Sequence, residues 1–321
     1  MNGLYASLNI AVLLFALSWF PQKDCRPPTA ISPLVPFVRD GREAKEIEAS
    51  GIEPVGDGTF IVADDRKRDL LLVDSQGYVL SSLMMPSRLG DYPKWEAMAK
   101  DGADYYVIGS HQAEKWSHLM RFRVTGKQKQ MSVDQTTLSE YILDLGPCKL
   151  PNLRIEGLAI RQRQLVVGLR EDSEWARVCS GDLPTGSSRT ISLKPLFALK
   201  TPNTRAAQKA NWHLAALDYV SGRGYLVLMS TEYGNNEFDG NKVWFVADRA
   251  LTDKEVATSP DGFKHIDDAP ATCPFQPDMK AEGIAAISTS GDTFSVVIVF
   301  DNDNGVTGKP SKLQFASLTF K

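Results

Sequence analysis

One short pattern recurs five times along the chain and constrains the fold more than any other feature. An acidic residue sits among small and aliphatic ones in Gly51-Ile52-Glu53-Pro54, Trp95-Glu96-Ala97-Met98-Ala99, Ile155-Glu156-Gly157-Leu158-Ala159, Ala216-Leu217-Asp218-Tyr219-Val220 and Ala281-Glu282-Gly283-Ile284-Ala285. Each is followed by a second run: Thr59–Ala63, Tyr105–Gly109, Leu165–Gly168, Tyr225–Met229 and Ser295–Phe300. Runs rich in β-branched and aromatic residues, bounded by turn formers, read as strands. The acids are 43, 60, 62 and 64 residues apart, so five units of about sixty residues account for the chain beyond residue 26. A sandwich does not require one motif at near-even spacing, and an α/β solenoid needs a helical pattern in every unit. The repeat predicts an all-β chain: a single β-propeller over 26–321 with five four-stranded antiparallel blades, or six if a linker hides a degenerate unit. Asp69–Val73, Leu119–Val124, Lys242–Ala247 and Lys312–Phe320 are expected as third or fourth strands. Leu34–Val38 is expected to close the ring against the last blade and remove an exposed edge.

A propeller turns the repeat into a site. The first strand of each blade lies nearest the channel, so Glu53, Glu96, Glu156, Asp218 and Glu282 are expected to converge at one end of it. The second strand returns to the same end. It brings Asp65, Ser110, His111, Arg170, Glu232, Asp301 and Asp303 around the mouth; Ser110, Arg170 and Glu232 each lie fourteen residues after their acid. Five uncompensated carboxylates repel one another, and oxygen-only ligands favour Ca²⁺ or Mg²⁺ as the remedy. Protonation of some acids, or neutralisation by Arg170, is the alternative. A third reading makes each acid a latch that accepts hydrogen bonds from the neighbouring blade.

Two functions follow from that geometry. The first is a binding propeller that takes a cation and a small polar ligand, or a protein partner, at an acidic channel mouth. The second is a metal-assisted hydrolase of phosphate esters, carboxyl esters or lactones, with Glu156 or His111 activating water. No nucleophile elbow, H-E-x-x-H site or complete phosphate loop is present, which places binding ahead of catalysis. Asp301-Asn302-Asp303-Asn304-Gly305 opens like a calcium loop but carries Lys312 at the twelfth position, so it reads as a turn.

The stretches WEAMAKDGADYYVIGSHQ, IEGLAIRQRQLVVGLRE and AEGIAAI with VVIVFDND resemble the uncharacterised domain-of-unknown-function family 3616, over roughly residues 45 to 321. The chain is more distantly similar to phytase-like and esterase-like propellers. The first resemblance implies a secreted or periplasmic propeller, and the second implies channel acids that hold calcium. The sequence departs from the family pattern at Glu53, which is followed by Pro54, and at Asp218, which stands where the family has Glu.

The ends and the composition set the compartment. Residues 10–20 read IAVLLFALSWF with no charge before Lys23, the length of a secretory signal core rather than of a membrane span. Residues 1–25 are therefore expected to be a signal peptide or, alternatively, a hydrophobic anchor, with the rest secreted or periplasmic. Export lets the four cysteines form bridges. Cys148 and Cys179 flank the third motif and are expected to pair, leaving Cys25 and Cys273 near the ring closure. With 36 Lys+Arg against 39 Asp+Glu, the net charge of −3 supplies no basic face for nucleic acid, and nothing in the sequence demands more than a monomer.

Overall fold

A computed structural model describes residues 25–66, 69–85, 94–110, 118–127, 130–149, 154–170, 174–201, 211–232, 240–252, 258–267, 269–275, 279–301 and 310–320. The chain forms five antiparallel sheets arranged as a five-bladed β-propeller. The inner strands are Ala49–Gly56, Lys94–Asp101, Arg154–Arg161, Asn211–Val220 and Lys280–Ser290. Each packs against the next, and the last packs against the first, so the ring is closed. The expected third strands are Asp69–Asp74, His118–Thr125, Asn241–Ala247 and Lys312–Thr319.

The ring closes through the segment that precedes the first blade. Ala30–Ile31 and Val35–Pro36 pair antiparallel with Lys312–Thr319 and supply the outer edge of the fifth blade. A second device repeats around the ring. The segment leading into the outer strand of one blade adds a short parallel strand to the outer edge of the preceding blade. Thr190–Ser192 pairs with Ile142–Asp144, Lys264–Ile266 with Phe197–Leu199, and Cys25–Arg26 with Ala271–Thr272. The parallel bridge between Val38 and Tyr78 is the same device reduced to one residue. These clips cover sheet edges that would otherwise be open to pairing.

The core is five wedges of aliphatic and aromatic side chains, one between each pair of neighbouring blades. Cys148, in the turn Gly146–Cys148 before blade three, is joined by a disulfide to Cys179, within that blade's third strand. Their Cα atoms are 6.5 Å apart, and both residues are fully buried. Cys179 lies inside a strand, so the bridge ties the entry to blade three onto the middle of its sheet. Residues 1–24, including the apolar run, lie outside the described set.

Candidate functional site

The inner strands share one irregularity that sets the register around the channel. Pairing with the second strand is broken by a bulge at Glu96, Glu156, Ala215 and Glu282, and across Ser50–Gly51 in blade one. A bulge re-aims the extra residue and raises local twist. Aligned on it, the five strands place Ser50, Glu96, Glu156, Ala215 and Glu282 at one level. Glu53 and Asp218 are not members of that ring. They lie three residues further along, level with Ala99, Ala159 and Ala285, so the expected five-acid ring divides into three acids above and two below.

Two residues before each bulge position the same alignment gives Glu48, Lys94, Arg154, His213 and Lys280, a level at which four of the five residues are basic. Opposite it, on the second strands, lie Asp65, Ser110, Arg170, Ser230 and Asp301. Glu232 falls two residues beyond its expected place, which Ser230 holds. The side chains of Ser110 and Glu232, and residues 111 and 303 altogether, lie outside the described set, so His111 and Asp303 are not placed.

The mouth is therefore mixed in charge. Arg170 Nη1 reaches Glu156 Oε1 at 3.2 Å, and Lys280 Nζ pairs with Glu282 Oε1. Both glutamates are buried, at 4% and 8% exposure, so the pairing cations stand in place of water. Burial, reinforced by Glu156 and Asp301 and opposed by Lys280 and Arg170, pushes the Glu282 carboxyl up to about 8. A second acid–base group sits between blades five and one. There Arg66 Nε meets Glu48 Oε1 at 2.5 Å, while burial and the neighbouring Asp65 push Glu48 up to about 8. Asp301 bears electrostatically on both groups. Among the described residues, no set of three or more His, Cys, Asp or Glu side chains is gathered closely enough to hold a metal ion. Lys280 and Arg170 are the cations that stand beside the two glutamates.

The latch role is carried mostly by neutral side chains. Ser50 Oγ donates to the Trp95 carbonyl of the next blade, and Ser230 Oγ donates to the Ala281 carbonyl at 2.7 Å. Asn241 receives the Ala281 N–H at 2.9 Å and donates to the Met279 carbonyl at 2.8 Å. Ser311 Oγ donates to the Ile47 carbonyl at 2.7 Å. Asp218 latches as expected: its Oδ2 accepts the Ala286 N–H of blade five at 2.7 Å.

Below the mouth the channel narrows. The next level is Gly51, Ala97, Gly157, Ala216 and Gly283, and a Cβ on Gly283 would lie 2.8 Å from the Ser50 carbonyl oxygen. That crowding explains small residues where five backbones converge. The level after it is Ile52, Met98, Leu158, Leu217 and Ile284, all buried, one in each of the five wedges between blades. Between Glu156, Glu282 and these two levels, the centres of water molecules have only ≈ 10 Å³ to occupy, about one water.

Lys280, Arg154, His213 and Glu48 are site residues that the acid repeat did not single out. The available signal was K-x-E at 94–96 and 280–282 and R-x-E at 154–156, since residues two apart on a strand share a face. One other cluster is chemically suggestive. Ser259 Oγ at 3.2 Å and Asp261 Oδ2 at 3.3 Å both approach Nε2 of His265. A nucleophilic relay needs the acid on the other ring nitrogen, so this is a turn network at the outer edge of blade three.

No family model and no curated protein matches the chain. Among solved structures it is similar to the PQQ-bound aldose sugar dehydrogenase of Streptomyces coelicolor, at 13% identity and TM-score 0.46, over 91% of this chain and 100% of that one. It is also similar to a GH43 endo-arabinanase of Bacillus licheniformis, at 10% identity and TM-score 0.45, over 89% and 97%. A protein of unknown function from Bacteroides thetaiotaomicron follows at 11% identity and TM-score 0.42, over 90% and 76%. Likeness at this level says nothing about chemistry.

Proposed function

We propose that the chain is an exported binding propeller whose channel mouth takes a small polar ligand presenting both charges, of which a free amino acid is the simplest. The observation that carries this reading is a mouth built from two buried acid–base pairs, Arg170–Glu156 and Lys280–Glu282, above a channel with room for about one water. Such a mouth offers donors and acceptors at fixed positions, and the narrow channel beneath it leaves a shallow bowl. The buried disulfide supports an oxidising compartment. The binding reading is preferred to a metal-assisted hydrolase because Arg170 and Lys280 already engage Glu156 and Glu282, the acids that would hold the metal or activate water.

The test is a thermal-shift panel of free L-amino acids. One side-chain class is expected to raise the melting temperature by several degrees. The shift should vanish in the charge-neutral double variant Glu156→Gln/Arg170→Met and in Glu282→Gln. No shift with any amino acid, or an equal shift in both variants, overturns the reading.

A further inference from the structure

The repeat supplies its own comparison at the level above the glutamates, where each inner strand faces its second strand. Blade five sets Lys280 against Asp301, and blades two and four set a basic residue against a serine. Blade one sets Glu48 beside Asp65, with Arg66 on Glu48 as the counter-charge. Blade three sets two cations together, since Arg154 and Arg170 are register partners. Like charges directly opposite one another on a strand pair are destabilising. Both arginines belong to the face of blade three that packs against blade four: a Cβ on Gly168, two residues before Arg170, would meet Leu214 Cδ2 at 2.5 Å. Arg170 is relieved by Glu156 at 3.2 Å. Arg154 is not. It opens the inner strand Arg154–Arg161, is partly buried, and makes no ion pair or hydrogen bond with any described residue. A guanidinium partly withdrawn from water beside a second one favours an anion that can reach it from solution.

We propose that Arg154 anchors a carboxylate at the channel mouth, with Arg170 on the facing strand adding its field. The inference rests on the mouth being the ligand site, and it names the end of the ligand that blade three takes. The planar fork of a guanidinium matches a carboxylate through two parallel N–H···O bonds. A singly charged carboxylate suits the place better than a phosphate, because Glu156, two residues along the same strand, opposes a second negative charge. Glu156 stays on Arg170, so the ligand supplies Arg154 with the counter-charge that the described residues do not. A ligand whose carboxyl is amidated should therefore be rejected.

Thermal melts and calorimetric titrations of the whole protein with propionate, propionamide and inorganic phosphate, at constant ionic strength, test the proposal. Wild type is expected to bind propionate saturably and to melt higher in it, whereas propionamide, alike in shape but uncharged, should have no effect. Arg154→Gln should weaken propionate binding by roughly tenfold or more, the worth of a charge-assisted hydrogen bond. Arg154→Lys, which keeps the charge without the fork, should retain part of it. Without propionate, Arg154→Gln should melt no lower than wild type, because it relieves a like-charge pair; a purely structural arginine would give the opposite sign. Absence of saturable propionate binding, equal binding in Arg154→Gln, an equal response to propionamide or phosphate, or a destabilised Arg154→Gln overturns the proposal. An amino-acid shift that survives in Arg154→Gln also overturns it, while leaving the mouth as the ligand site. A propionate response without a response to any amino acid upholds the anchor and overturns the amino-acid reading.

Discussion

Thermal stability is expected to be greatest at mildly acid pH and to fall steadily toward pH 8, the reverse of the rise toward neutrality common in globular proteins. Four buried carboxyls drive this. Glu282 and Glu48 are pushed up to about 8, Asp218 to about 6, and Glu53 well above its ordinary value, each chiefly by burial. A carboxyl with a raised folded-state pKa binds its proton more tightly folded than unfolded. Its contribution is therefore fully present below the unfolded value near 4.5 and is lost as pH rises through the folded value. Each such group contributes a slope of about 1.4 kcal/mol per pH unit between its two pKa values. The melting temperature is therefore expected to be lower at pH 8 than at pH 5. Melts from pH 4.5 to pH 8.5 check it, and Glu53→Gln or Glu282→Gln should each flatten the curve. A melting temperature that rises across that interval would show that these carboxyls are charged and stabilised in the folded protein.

Arg170→Met should be among the most damaging single substitutions at the mouth. It removes the guanidinium that reaches Glu156 at 3.2 Å and leaves a carboxylate of 4% exposure without its counter-charge. Breaking a buried pair from one side costs about 3–5 kcal/mol, whereas removing both charges together is often close to neutral. Glu156→Gln/Arg170→Met should therefore be more stable than Arg170→Met alone. The coupling from the double-mutant cycle should be at least about 2 kcal/mol and favourable to the pair. Additive effects, measured as chemical denaturation free energies at pH 7, would mean that other groups balance Glu156.

The fold was largely legible because the repeat reflects steric necessity. Five backbones meeting at one axis require a small residue followed by an aliphatic one: Gly51-Ile52, Ala97-Met98, Gly157-Leu158, Ala216-Leu217 and Gly283-Ile284. The ring closure by Val35–Pro36 and the third strands followed from the same periodicity. The site was legible only in part, because charge is not subject to that necessity. Aligning the units on their acids drew Glu53 and Asp218 into a ring whose true members in those blades are Ser50 and Ala215, a shift of three residues. Lys280 and Arg170 lie at the correct end in sequence, but which acid each neutralises depends on a bulge that no single strand announces. The parallel clips were unreadable for a related reason: two- or three-residue strands pair with edges distant in sequence.

The central claim, that Glu156 and Glu282 at the mouth have Arg170 and Lys280 rather than a metal ion as partners, is tested most directly by melting the wild-type protein in chelator, in excess Ca²⁺ and in excess Mg²⁺. A metal bound only by the folded state adds about 2.7 kcal/mol at a hundredfold excess over Kd, roughly 4 °C for a chain of 321 residues. With Arg170 on Glu156 and Lys280 on Glu282, the three melting temperatures are expected to coincide. A melting temperature that drops in chelator and recovers with Ca²⁺ or Mg²⁺, with the recovery lost in Glu156→Gln, would contradict the claim.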